Sequence, residues 1–329
     1  MANFNPHSPI KDHVTAVADA LALKQFGGYV LGAFDNALIA GVHGMKHNMP
    51  FGNQWQFPAT WKMNSEEHEP GTEMVGNNEP ANEERTIVLD DKELVAHVTL
   101  SKRDDLISHL SLLPEWGRQA GIALAETYEK YWLQCLCLGA RQSARTIAGT
   151  SDSFPAGNRL DTARTGASIA AAYPLSLAGS KYAQDDLGQI GQKMDEKNVP
   201  KTGRFAFIGP YMSRVFRQDK TLVSRDYQDT NTLLTRQMYL VEGFWLEEAN
   251  LMPTALIASG PSAYQGDFTT TAMLCMGDNT AVGSVFLEEI DPFGPTWYES
   301  RRAWLLGAAM FQGSKWLRPE ACGEVQIAG

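Results

Sequence analysis

Seven histidines, His7, His13, His43, His47, His68, His97 and His109, are the first residues to weigh, because imidazole serves readily as a general base or a metal ligand. None lies beyond residue 109. A Ser-His-Asp or Cys-His enzyme would therefore take its base from the N-terminal third, which reads as extended segments and makes a poor platform for a rigid site. No Gly-x-Ser-x-Gly elbow, no Gly-x-Gly-x-x-Gly and no phosphate loop ending in Gly-Lys-Ser/Thr occurs. His43 and His47 are four apart and could share a helix face. Gly44 weakens that helix, however, and no third ligand is near in sequence. Packing or solvated histidines are the preferred reading.

The acidic residues give no better catalytic set. Asp90-Asp91, Asp104-Asp105, Asp185-Asp186, Glu247-Glu248 and Glu288-Glu289 are adjacent pairs, and neighbouring side chains point apart on helices and strands alike. Arg214, Arg217, Lys220 and Arg301-Arg302 lack the interleaved aromatics of a single-strand nucleic-acid platform. The four cysteines, Cys135, Cys137, Cys275 and Cys322, form no disulfide framework and read as buried thiols in a reducing compartment. No catalytic, cofactor-binding or metal-binding residue is nominated, and no cofactor is expected.

The element pattern points elsewhere. Trp55, Phe57 and Trp61 lie in one β-run; Ile87 to Leu89 and Leu94 to Val98 form the returning apolar flank. Between Lys62 and Arg85 there is no cation, while Glu66, Glu67, Glu69, Glu73, Glu79, Glu83 and Glu84 all fall there. Pro70-Gly71, Gly76-Asn77-Asn78 and Pro80 interrupt any regular element. An isolated two-stranded ribbon is at best marginally stable. The segment therefore reads as an arm that lies on a neighbour and buries some of Trp55, Phe57 and Trp61 there.

Val14 to Leu23 predicts a helix stopped by Gly27-Gly28, with the apolar pattern resuming from Tyr29 to Ile39. Pro114 opens a long helix to Gly139, with an apolar face of Leu124, Tyr128, Tyr131, Cys135 and Leu138. A helix follows from Leu177 to Lys197, then a strand at Arg204–Ile208 and a helix after Pro210. Strands are expected at Met238–Leu246, Ala272–Met276 and Val282–Leu287, and again at the C-terminus.

Composition fits an ordinary globular chain of 329 residues, 43% hydrophobic and 20% charged, with net charge −10. Residues 1–100 hold 6 Lys+Arg against 13 Asp+Glu. That balance argues against sequence-independent grip on nucleic acid. No run approaches the roughly 18 apolar residues of a membrane span, and the N-terminus shows no secretory signal.

Several strings, in order along the chain, carry a resemblance. They are Phe26-Gly27-Gly28 with Val30-Leu31 and Ala33-Phe34; Gln56-Phe57-Pro58; Thr86 to Thr99; and Pro114 to Gly139. Val199-Pro200 with Arg204-Phe205, Glu242-Gly243-Phe244 with Glu247 and Pro253, and Leu317-Arg318-Pro319-Glu320-Ala321 with Gly323 and Val325 continue it. In these the chain resembles the major capsid proteins of T7-type short-tailed phages, which have the HK97-type capsid fold. The resemblance implies an α+β fold with an N-terminal arm (1–50) and an extended β-hairpin loop (51–99). It also implies a peripheral domain (100–155 and 288–329) around a spine helix at 114–139, and an axial domain (156–287).

It implies a coat protein that self-assembles into hexamers and pentamers of an icosahedral shell. The shell would enclose double-stranded DNA without sequence-specific binding. Scaffolding protein, portal and a decoration protein are the implied partners; the virion is the implied location, with assembly in the host cytoplasm. Lys62 lies where some relatives of that fold cross-link, but T7-type relatives imply no such chemistry. The alternatives are a virion decoration or receptor-binding protein and, more remotely, a metal-dependent hydrolase using the N-terminal histidines.

Overall fold

The computed structural model describes residues 16–60, 65, 67–73, 82–101, 113–146, 153–166, 168–219, 222 and 240–328. The expectations on His7, His13, Trp61, Lys62, Glu66, Glu79, Asp104-Asp105, His109, Lys220 and Met238 lie outside these residues.

Helix α1 (Ala16–Ala37) leads through a 3-10 turn (Ala40–Val42) into β1 (Met45–Asn48). A ribbon follows, β2 (Gln54–Thr60) and β3 (Asn82–Val88), then β4 (Leu94–Ser101). Helix α2 (Leu113–Ala140) is the expected spine, and at about 1.5 Å per residue it is roughly 42 Å long. Short β5 (Arg145–Thr146) and β6 (Ser153–Phe154) precede β7 (Asn158–Thr165). Next come α3 (Ile169–Ala172), α4 (Leu177–Glu196), β8 (Phe205–Ile208) and α5 (Pro210–Phe216). The remainder is β9 (Leu240–Val241), β10 (Phe244–Glu248), β11 (Leu256–Ile257), β12 (Gly266–Asp267), β13 (Thr271–Met276), β14 (Val282–Tyr298), β15 (Ala303–Trp316) and β16 (Cys322–Ala328).

Two sheets carry the molecule. One has four strands in the order β1-β14-β15-β4; the other has six in the order β7-β16-β13-β8-β10-β9. Together with α1, α2 and the flanking helices they give the expected α+β architecture. The spine joins the sheets. Its first half is amphipathic, but from Trp132 to Cys137 every residue is buried. The predicted stripe was therefore too narrow: Trp132, Leu133, Leu136 and Cys137 are as deeply buried as Leu124 and Tyr128, because core surrounds the helix there.

Four expectations are corrected. Gly27-Gly28 does not stop α1, which runs on to Ala37. Glycine inside a helix costs about 1 kcal/mol relative to alanine, but here close packing favours it, since a Cβ on Gly27 would sit 3.0 Å from Pro292 Cγ. On the facing helix, a Cβ on Gly121 would strike the Val30 carbonyl oxygen. The strand expected at 238–246 is a hairpin instead. Glu242 (φ 50°) and Gly243 (φ 82°) form a tight turn between β9 and β10. The strand expected at 282–287 continues to Tyr298, with three register shifts against β15; Pro292 and Gly294 (φ 98°) lie within the irregular half.

The fourth correction concerns the ribbon. Only β3 returns along β2, in unbroken antiparallel register from Gln54↔Val88 to Thr60↔Asn82. The second apolar flank, β4, pairs with β15 and belongs to the four-stranded sheet. The strand β16 lies inside the six-stranded sheet, between β7 and β13.

Candidate assembly surfaces

Among the described residues, most of those with chemical potential serve the structure. His43 closes the 3-10 turn, while His47 lies in β1, so the two share no helix face. His43 stacks on Phe205 at 3.8 Å, and its Nε2 is 3.0 Å from both carboxylate oxygens of Glu247. His47 stacks on Trp55 at 4.0 Å. His68 is exposed, and His97 sits in β4 opposite Gly307. Among the described residues, no three His, Cys, Asp or Glu side chains converge as a metal set.

The acidic pairs separate as strand and helix geometry requires. Asp90 accepts from Tyr264 Oη at 3.0 Å, Asp186 accepts from Tyr173 Oη at 2.6 Å, and Glu248 faces Arg217. All four cysteines are buried free thiols. Cys135 donates to the Ser314 carbonyl and Cys137 faces Thr271, so the two point apart. Burial pushes each thiol up, Cys275 to about 12. Such groups do not act as nucleophiles near neutrality.

Two buried carboxylates escaped the reading from sequence. Glu129, on the spine, accepts from the backbone N–H groups of Ala40 (2.5 Å) and Gly41 (3.0 Å), clamping the segment after α1 to the helix. Burial raises its pKa, against the lowering effect of those N–H groups. A glutamate inside the stripe Leu124–Tyr128–Trp132 was the available signal. Glu324 is the deeper case. It is fully buried in β16 and held by Arg141 at the end of the spine through two bonds of 2.6 and 2.7 Å. Thr271 and Gln326 also donate to it, at 2.7 and 2.8 Å. Burial alone would raise its pKa; the Arg141 pair and these donors outweigh that and hold it below the ordinary carboxylate range.

The ribbon's two faces differ. Phe57 and Ile87 are buried with Met49, Val285 and Leu317 of the same chain, and Trp55 packs beside them. Of the three aromatics expected to serve a neighbour, Phe57 is thus spent within its own chain and Trp55 is half-buried beside it: the inward face of the ribbon base covers its own four-stranded sheet. The outward face carries Gln54, Gln56, Glu84 and Val88, the last 54% exposed, and Phe51 just before it is 81% exposed. The described tip residues Glu67, Glu69 and Glu73 are all exposed.

A second apolar surface lies at the edge of the six-stranded sheet. Leu240 and Trp245 are cross-strand partners and are 49% and 44% exposed. A large exposed hydrophobic pair on an edge hairpin is unusual in a chain that stays single.

A family model described as "Gp10A-like: Major capsid protein" matches residues 56–289, which takes in most of the ribbon, the spine and most of the six-stranded sheet. The chain belongs to this major capsid protein family. The capsid of cyanophage P-SCSP1u superposes with a TM-score of 0.75 at 22% identity, covering 89% of this chain and 88% of that one. The mature capsid of bacteriophage PhiM1 gives 0.68 at 18% identity, over 87% and 86%. A virus-like particle from Pyrococcus furiosus gives 0.55 at only 8% identity, over 92% and 98%. These likenesses fix the fold as that of phage capsids, HK97-like, at identities where sequence alone says little. No curated protein sequence matches the chain. As a major capsid protein it builds a shell, and its role is structural. The bare outer face of the ribbon and the apolar sheet edge are thereby its candidate contact surfaces. Among the described residues no helix is long and apolar enough to cross a membrane.

Proposed function

We propose that this capsid protein assembles through head-to-tail contacts that close into hexamers and pentamers, which tile an icosahedral shell around a double-stranded DNA genome. A T7-type short-tailed phage is the source the sequence resemblance favours. Scaffolding protein and portal would guide assembly, and a decoration protein could coat the result. Assembly would take place in the host cytoplasm and the product would be the virion capsid.

The observation that carries this reading is the two-faced ribbon. Its base is fastened to its own chain, while Phe51, Val88 and the acidic tip are bare. A surface of that kind needs a second copy. At about 25 cal/mol per Å² of apolar area, a few such side chains give modest energy per contact. Many contacts then make a shell strong while each stays weak enough to correct errors.

The proposed division keeps an arm, a ribbon, a peripheral part on the four-stranded sheet and an axial part on the six-stranded sheet. The strand β16 goes with the axial part because it pairs there. The test is expression of the chain with and without a candidate scaffolding protein, followed by electron microscopy. Shells or hexameric capsomers support the reading. A stable monomer or trimer under all conditions contradicts it.

A further inference from the structure

Strand β4 covers the edge of β15 only as far as the Leu94↔Met310 pair, while β15 runs on to Trp316. The loop between β3 and β4 covers the next stretch of that edge. Asp90 N–H donates to the Gln312 carbonyl at 2.9 Å. Ser314 N–H, on the same edge, donates to Tyr264 Oη at 3.0 Å. Tyr264 Oη donates in turn to Asp90 Oδ2 at 3.0 Å. Three bonds thus make one circuit through the loop, the strand and the 3-10 turn Ser262–Tyr264. The foot of the ribbon is part of the same arrangement. Leu89 N–H donates across it to the Asn53 carbonyl at 2.9 Å, and a Cβ on Gly313 would strike the Val88 carbonyl oxygen. Tyr264 is the fixed post of the circuit, being buried and stacked on Tyr131 of the spine at 4.3 Å.

Charge makes this circuit conditional. The Asp90 carboxyl is half-buried. The titratable groups facing it are Tyr264 from the turn, Tyr131 and Cys135 from the spine, and Asp91 from its own loop. Among these there is no cation. Holding a carboxylate out of water without a counter-charge is costly. Burial, with Asp91 adding to it, accordingly pushes the Asp90 pKa up to about 6, against the pull of the Tyr264 hydrogen bond. Tyr264 is locked in the core, so the loop is the partner that moves when the charge returns to water.

We propose that Asp90 and Tyr264 form a proton-operated latch, which holds the loop between β3 and β4 on the edge of β15 while the carboxyl is protonated and frees it on ionisation. Freeing the loop uncovers the edge groups of Gln312 and Ser314 and loosens the foot of the ribbon, with both large sheets still folded. The closed loop binds the Asp90 proton more tightly than the open loop, where the carboxyl returns to its ordinary range near 3.8. The latch is therefore at full strength below about pH 4 and is lost as pH rises through about 6. The inference concerns the single subunit and does not depend on how copies assemble.

The test is amide hydrogen exchange on the full-length chain between about pH 4 and about pH 7.5, with rates corrected for the intrinsic pH dependence of exchange. Protection of the amides at positions 89, 90 and 314 should fall about tenfold or more across that range. The fall should come through a local opening that low urea does not accelerate, whereas the spine amides of Leu133 and Leu136 should exchange more slowly and with a strong urea dependence. Asp90→Asn keeps an oxygen for Tyr264 and carries no charge, so its loop should stay protected at every pH. Tyr264→Phe should leave the three amides poorly protected even at about pH 4. The same fall in Asp90→Asn as in the wild type would overturn the proposal. So would loop amides that exchange only at the rate and urea dependence of the spine, since Asp90 would then contribute to global stability alone. If Tyr264→Phe does not fold, the comparison of wild type with Asp90→Asn decides by itself.

Discussion

Individual side chains fasten the elements together, and two of them give sharp expectations. Glu324 is fully buried and depends on Arg141. Removing one partner of such a pair leaves an uncompensated charge and costs about 3–5 kcal/mol. Arg141→Met should therefore lower the denaturant midpoint of the isolated subunit steeply, whereas a surface change such as Arg159→Met should move it little. Equal effects would show that the Arg141–Glu324 pair is not the staple described. Asp90 gives a pH expectation. Burial raises its pKa from 3.8 to about 6, opposed by the Tyr264 hydrogen bond and reinforced by Asp91. The native state then holds the proton more tightly than the unfolded chain does. Its contribution is fully present below about pH 4 and is lost as pH rises through about 6. Between those values, unfolding measurements should show wild-type stability falling with pH relative to Asp90→Asn. A difference that is flat or rises with pH would contradict the assignment.

At the scale of elements, the long periodic segments were legible and the irregular ones were not. The spine and α4 were read within a few residues because their apolar spacing extends over several turns and proline or polar caps mark their ends. Helix α1 was misread because two glycines look like a terminator unless the close helix-to-helix approach is known. The hairpin β9–β10 was missed since Glu-Gly is an uncommon tight-turn pair and the flanking apolar residues run on without a break. The ribbon base was misassigned for a different reason. The spacing of Trp55 and Phe57 shows which residues share a face but not what that face meets. Gly121 tests the α1–spine contact. Replacing it with Val would force a side chain into the Val30 carbonyl, and such overpacking costs about 1–3 kcal/mol. The variant should unfold at a lower temperature than Gly28→Ala, which meets open space. Similar loss in both would argue against the close approach.

For the whole molecule, the ribbon that sequence reads as an arm on a neighbour is fastened by one face to its own chain and bare on the other. The surfaces that build a shell were only half visible from sequence, because exposure depends on long-range packing. Phe51 and Val88 became the candidate outer contacts only when Phe57 and Ile87 were found buried in their own chain. Deleting residues 64–84 should leave both large sheets and the spine intact, since these elements lie outside the deleted segment. The deleted chain should fold, with an ordinary circular dichroism spectrum, yet sediment as subunits and assemble poorly. Normal shells from it would refute a role for the ribbon in assembly. The most direct measurement is a reconstruction by electron cryomicroscopy of particles formed by the intact chain. The account predicts closed rings of six and five subunits in which an adjacent copy covers Phe51 and Val88 on every ribbon. Particles whose ribbons stand free in solvent, or a preparation that yields only single subunits, would contradict it.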